Sequence, residues 1–179
     1  IEGFYDLMVE PTEKEREVVR LIPFDAEKEK EVYGLKQPLI TDDLGITPQE
    51  ALVFYPTLTI SGMESGYNGE GTKTVLPHTA KAKLDFRLVP GYTATEVEKL
   101  RAHLDKHGFE DVQIELLTEL TPFRTDLEDP YVDIVVAAAE EIYGAENIVL
   151  EPNSAGGGPM DGFDQFLNVP IMGTGISWA

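Results

Sequence analysis

Few residues of this 179-residue chain have the types and spacing for chemistry: the histidines, an adjacent glutamate pair, a run of glycines and one strand-end arginine. His103-Leu104-Asp105 spells a His-x-Asp metal pair, but on the helix expected there the two side chains diverge by about 200°. With charged neighbours all round, the pair reads as a solvated face. His107 falls in the last helical turn, where a partly positive imidazole complements the helix dipole, and neither histidine is assigned to a metal. Glu140 and Glu141 diverge by about 100° at the end of an apolar helix and read as solvated too.

Two stretches hold more promise. In "SAGGGPM" (154–160) three consecutive glycines follow a short apolar run, which permits close backbone approach and exposed N–H donors, the features of an anion-binding turn. No Gly-Lys-Ser/Thr follows, so the phosphate-loop pattern is absent; the plain alternative is a tight turn. In "TVLPHTAKAKLDFRLVPG" (74–91), Ala80, Ala82, Leu84, Phe86 and Leu88 alternate with Lys81, Lys83, Asp85 and Arg87. That period predicts a strand with one buried face, whose wet face ends in Arg87. A guanidinium fork fits a carboxylate. Residue type alone favours an ion pair with Asp85 or a neighbour.

Composition narrows the function classes. A formal charge of −19 argues against nucleic acid, because phosphate binding needs clustered Lys and Arg. With no cysteine, disulfides and thiolate metal sites are excluded, and a metal would need His or carboxylate ligands. No apolar run approaches membrane-spanning length and no signal-peptide pattern opens the chain. The expectation is a cytoplasmic protein without a membrane partner.

Several elements must position these residues. Thr12 and Glu15 form a capping box before Val18, Val19, Leu21 and Ile22, and Pro23 stops that helix. "DAEKEKEVYG" predicts a second short helix ending near Gly34, and Thr47-Pro48-x-Glu50 starts a third. Together 1–56 reads as a connecting region rather than a compact core. Leu58 and Ile60 share a face of a strand starting at Pro56, "NGEGTK" turns, and the alternating stretch follows. Thr93 and Glu96 predict a capping box, Val97, Leu100 and Leu104 a buried stripe, and Gly108 a stop. "DVQIELL" (111–117) then reads as a third strand, giving β-β-α-β, an antiparallel sheet with a helix on one face. Beyond it, Asp129 and Pro130 start an apolar helix buried on more than one side, and "NIVLE" reads as a parallel-sheet strand.

"IEGFYD", "PTLTISGMESGYNGEGTKTVLPHTAKAKLDFRLVPG" and "PNSAGGGPM…FLNVPIMGTG" occur in an order that closely resembles the zinc-dependent aminoacylase/carnosinase-type metallopeptidases. That family includes dipeptidases, carboxypeptidases, deacylases and succinyl-diaminopimelate desuccinylases. The resemblance implies an α/β catalytic domain with two metal ions, interrupted by a smaller α+β lid that commonly dimerises. The expected fold is therefore an α+β lid, an antiparallel sheet with helices on one face, followed by a truncated α/β catalytic-domain segment. The expected layout is 1–56 connecting, 57–118 lid and 122–179 returning catalytic domain.

The resemblance also implies functional roles. None of the family's metal-ligand motifs maps onto this chain, so no catalytic or metal residue is assigned. Two zinc ions are expected in the parent enzyme and none on this chain, which should be inactive alone. Arg87 resembles the arginine that grips a substrate's free carboxylate, reversing the ion-pair reading. Thr74, thirteen residues earlier, resembles the threonine that helps bind substrate in the partner subunit's site. Gly156 and Gly157 complete the substrate-binding candidates. Many members have Ser or Thr at the position of Gly157, so only backbone donation is expected from this turn. The implied reaction is hydrolysis of the amide bond of a dipeptide or N-acyl amino acid, with a homodimer formed through the lid. The rival reading is a non-catalytic dimerisation module that binds amino-acid derivatives.

Overall fold

The computed structural model describes residues 1–154, 156 and 158–175. Its elements run α1 (Glu13–Arg20), α2 (Ala26–Tyr33), α3 (Ile40–Leu44), α4 (Pro48–Phe54), β1 (Thr57–Ser65), β2 (Ala80–Arg87), α5 (Thr95–Lys106), α6 (Pro130–Tyr143) and α7 (Met160–Leu167). The chain is α+β, with a two-stranded antiparallel sheet. It divides into two compact units, one of residues 56–88 and one that joins 1–55 to the chain from 89 onward.

The smaller unit is the β1–β2 ribbon. Its register pairs Thr57 with Arg87 and Ile60 with Leu84, then slips at Ser61 so that Gly62 faces Lys83 and Ser65 faces Ala80. Across this bulge the Ser61 hydroxyl donates to the Lys83 carbonyl at 3.3 Å. The bulge adds one residue to β1 and bends it. The strand expectation for 80–87 holds, but its buried face does not. Ala80 and Ala82 are exposed, Leu84 is 38% exposed, and only Asp85 and Phe86 are half-buried. Alternation decides which side chains share a face; burying that face takes a second layer, and two strands alone do not supply one.

In the larger unit, the Thr12 hydroxyl accepts from the Glu15 amide at 3.2 Å while the Glu15 carboxylate accepts from the Thr12 amide at 2.7 Å. This reciprocal cap starts α1. A second such box, Thr47 with Glu50, starts α4 with Pro48 in its first turn. The two helices pack through Val19, Val53 and Phe54, with Ile22 and Tyr55 at the margin. Each such buried apolar side chain contributes about 1.5–3 kcal/mol. Region 1–56, read from sequence as connecting chain, thus contains a buried cluster of its own. What the sequence did not reveal is that two helices far apart in 1–56 present their apolar stripes to each other.

Later chain is laid on this cluster. Arg124 pairs with Glu15 at 3.0 Å, both side chains almost wholly buried, and its guanidinium lies 5.9 Å from the Phe54 ring centre. Lys14 donates to the Leu127 carbonyl at 2.7 Å. The Thr125 hydroxyl donates to the Ile171 carbonyl at 2.6 Å and accepts from its amide at 2.9 Å.

A second cluster holds the N-terminal segment. Tyr92, 1% exposed, donates to the Phe4 carbonyl at 2.7 Å. Lys99 donates to the Gly3 carbonyl at 2.8 Å and lies 3.0 Å from the buried Glu96 carboxylate. Gly91 has φ +100°, and a Cβ there would stand 2.3 Å from the Leu7 carbonyl oxygen. Only glycine permits both that dihedral and that approach.

Four sequence expectations fail here. The Thr93–Glu96 capping box does not form: α5 starts after Ala94 with no side-chain cap, and Glu96 turns inward to Lys99 instead. No third strand forms at 111–117. Arg101 takes the Phe109 carbonyl at 2.7 Å and also the Val112 carbonyl, and among the described residues only β1 and β2 are hydrogen-bonded as a ladder. "NIVLE" is likewise not a strand, since a strand requires a partner edge. Finally, α6 starts as expected, the Asp129 carboxylate accepting from the Tyr131 amide at 2.8 Å, but only Val132 is buried and Ile134 is 65% exposed. Helices α3 and α7 have no side-chain N-cap, so no start signal marked them. Among the described residues no helix is long and apolar enough to cross a membrane.

Two measurements check this packing. Glu15→Ala leaves Arg124 as a buried unpaired cation and removes the returning half of the α1 capping box, the bond to the Thr12 amide, so it should cost about 3–5 kcal/mol in urea unfolding. Glu50→Ala, which removes only the carboxylate half of the capping box at an exposed helix start and leaves the Thr47 cap in place, should cost no more than about 1 kcal/mol. Burial, reinforced by the charges of Glu96 and Asp6, pushes the Tyr92 phenol up to about 12. The unfolded chain ionises this group near its ordinary value of about 10. Its stabilising contribution is therefore complete below about pH 10 and lost as pH rises towards about 12. Tyr92→Phe should flatten that part of an alkaline unfolding profile.

Candidate functional site

Strand β2 carries Arg87 at its last position, opposite Thr57. Asp85 lies two residues earlier and so on the same face. The Arg87 Nε donates to Asp85 Oδ2 at 2.7 Å, with both side chains about half exposed. The guanidinium thus holds a carboxylate at charge-assisted distance, at the end of a ribbon whose ladder sets the direction of the strand. This ion pair is what residue type alone favours.

Thr74 sits exposed in the connection between β1 and β2, before Ala80. Eight strand residues rise about 23 Å from Ala80 to Arg87. Thr74 therefore precedes one end of β2 and Arg87 closes the other.

Gly156 belongs to the other unit. Its amide, a candidate anion donor, is taken by the Ser154 hydroxyl at 3.2 Å. Gly157 lies outside the described residues. Asn153 donates from Nδ2 to the Val53 carbonyl at 3.1 Å, tying the start of the turn to the C-terminal end of α4, and Pro152 beside it is buried. Sequence reasoning passed over Asn153 and Ser154. The available signal was the Asn-Ser pair before the glycines, since both residues habitually bond to nearby backbone.

The remaining titratable candidates are separate from these. Glu140 and Glu141 are exposed. His103 and His107 stand near the end of α5, with the His103 ring held below the usual imidazole range by desolvation and then by neighbouring positive charge. Glu2 is held below the usual carboxylate range by its hydrogen bond to Lys106. Among the described residues, no three His, Asp or Glu side chains converge where they could hold a metal ion. These residues do not fit the two-metal centre that the resemblance implies for the parent enzyme.

Residues 6–112 match the peptidase dimerisation domain family of the M20 peptidases, and the chain belongs to that family. The Beta-Ala-His dipeptidase of Rattus norvegicus is 26% identical over 167 residues, covering 86% of this chain and 32% of its own. The Cys-Gly metallodipeptidase DUG1 of Candida albicans is 27% identical, covering 88% of this chain and 33% of its own. The crystal structure of an M20 family metallo-carboxypeptidase from Sulfolobus solfataricus superposes with a TM-score of 0.76 at 40% identity, over 94% of this chain and 43% of that one. The chain thus spans about a third of the length of the curated relatives it matches.

The Arg87–Asp85 pair is exposed enough to be screened by water. Asp85→Asn should therefore change unfolding stability by no more than about 1 kcal/mol, measured by thermal or urea denaturation.

Proposed function

We propose that this chain supplies substrate recognition and dimerisation to a dinuclear zinc metallopeptidase. The reaction is hydrolysis of the amide bond of a dipeptide or N-acyl amino acid with a free carboxylate. The match of residues 6–112 to the peptidase dimerisation domain carries the reading. On it, 1–56 are a connecting region of short helices, 57–118 form the lid and 122–179 return to an α/β catalytic domain. The zinc ions belong to other parts of the parent protein, and the cytoplasm is its compartment.

Arg87 is the carboxylate clamp. Its bond to Asp85 supports this, because a guanidinium that already holds one carboxylate at 2.7 Å has the reach and charge to hold another. Substrate then displaces Asp85, and the clamp orients the amide for attack. Thr74, set before the opposite end of the same strand, serves the partner subunit's site. Backbone N–H groups at Gly156 and Gly157 add polar contacts once the Ser154 hydroxyl gives way.

Calorimetric titration of the chain with an N-acyl amino acid and with its uncharged amide tests the clamp. Arg87→Ala should lose about 1.5–3 kcal/mol of binding to the acid and nothing to the amide, as expected for a charge-assisted hydrogen bond. Asp85→Asn should bind the acid more tightly, having lost the internal competitor. Equal binding by wild type and Arg87→Ala would sink the assignment. The chain alone should hydrolyse neither ligand with zinc added, and light scattering should find a dimer; a strictly monomeric sample counts against the dimerisation role.

A further inference from the structure

His103 in the last turn of α5 and His107 at its C-cap are four residues apart, one turn from each other along the helix end. Their rings are 4.6 Å apart, centre to centre, at 57° to one another. His103 is half-buried and His107 is exposed, so the pair opens to solvent on one side. Compared with Asp105, His103 looks inert; compared with His107, it is half of a chelate. Spacing of i and i+4 is how helical histidines share one metal ion.

The dimensions suit this. With metal–nitrogen bonds of about 2.0–2.1 Å, each ring centre lies roughly 3.2 Å from the ion, so a right angle at the metal separates the centres by about 4.5 Å and a tetrahedral angle by about 5.2 Å. The observed 4.6 Å matches the right angle, the cis arrangement of square-planar or octahedral coordination, which Cu2+ and Ni2+ prefer over Zn2+. Apart from His107, the positive charges acting on His103 are the Ile1 ammonium first and then Lys106, whose ammonium lies 2.5 Å from the Glu2 carboxylate and is offset by it. The chain's formal charge of −19 also draws cations to its surface.

We propose that His103 and His107 form a surface binding site for a divalent transition-metal ion of the Cu2+ or Ni2+ type, with water completing the coordination. Bound metal staples the last turn of α5, the turn whose Lys106 also holds Glu2. The site is independent of the peptidase reading and shares no residue with the proposed substrate contacts.

The test is titration of the tag-free 179-residue chain with CuCl2 and with NiCl2, followed by calorimetry, and by electron paramagnetic resonance for copper. Wild type should bind one ion with two nitrogen ligands in the copper spectrum, and saturating Ni2+ should raise the melting temperature. His103→Gln and His107→Gln should each weaken binding at least about tenfold, because the second imidazole acts at high effective concentration. Circular dichroism should show both variants as helical as wild type. His78→Gln removes the third histidine and should leave binding unchanged. Wild-type affinity in either α5 variant, or loss of binding in His78→Gln, overturns the proposal.

Discussion

The larger unit depends on the buried pair between Glu15 and Arg124. Withdrawing two charges from water is costly, and here the Glu15 carboxylate recovers part of that cost through hydrogen bonds from Thr12 as well as from the pair itself. Here one Glu15 oxygen caps α1 through Thr12 and the other meets Arg124, which lies over Phe54 of α4. A single carboxylate therefore helps start a helix and fastens later chain to it through Arg124. The segment from Arg124 to Leu127, and through Thr125 the chain at Ile171, is positioned from there.

The ribbon of β1 and β2 works by a different constraint. Its geometry comes from a ladder rather than from a core, so it holds direction and register well and buries little. Arg87 and Asp85 are held on one face by the pleat, near enough to pair and exposed enough to exchange partners. The Ser61 bulge bends the strand opposite without disturbing the pairing at Thr57 and Arg87.

Much of the local structure was legible. Thr12-x-x-Glu15, Asp25, Thr47-Pro48-x-Glu50 and Asp129-Pro130 each start a helix, because capping is settled within a few residues of chain. Thr93-x-x-Glu96 has the same spelling and forms no box, since Glu96 is drawn to Lys99 and buried beside Tyr92. Segments 111–117 and 148–151 have strand composition but no strand, because composition cannot provide the neighbouring edge. The histidines show the same limit: a motif read as His-x-Asp hid the i, i+4 pair that the helix brings together.

The sequence by itself determined where most helices begin, that residues 80–87 alternate as a strand ending in Arg87, and which family the chain resembles. These rest on local spacing, cap chemistry and order of motifs, all of which are written in consecutive residues. Tertiary structure alone decided that Val19 meets Val53 and Phe54, that Glu15 meets Arg124, that Asn153 ties the glycine turn to α4 and that Tyr92 anchors the N-terminal segment. Each of those pairings joins residues distant along the chain. Their energy, apolar burial for the valines and Phe54 and hydrogen bonding or ion pairing for the rest, arises only between groups that the folded chain brings face to face.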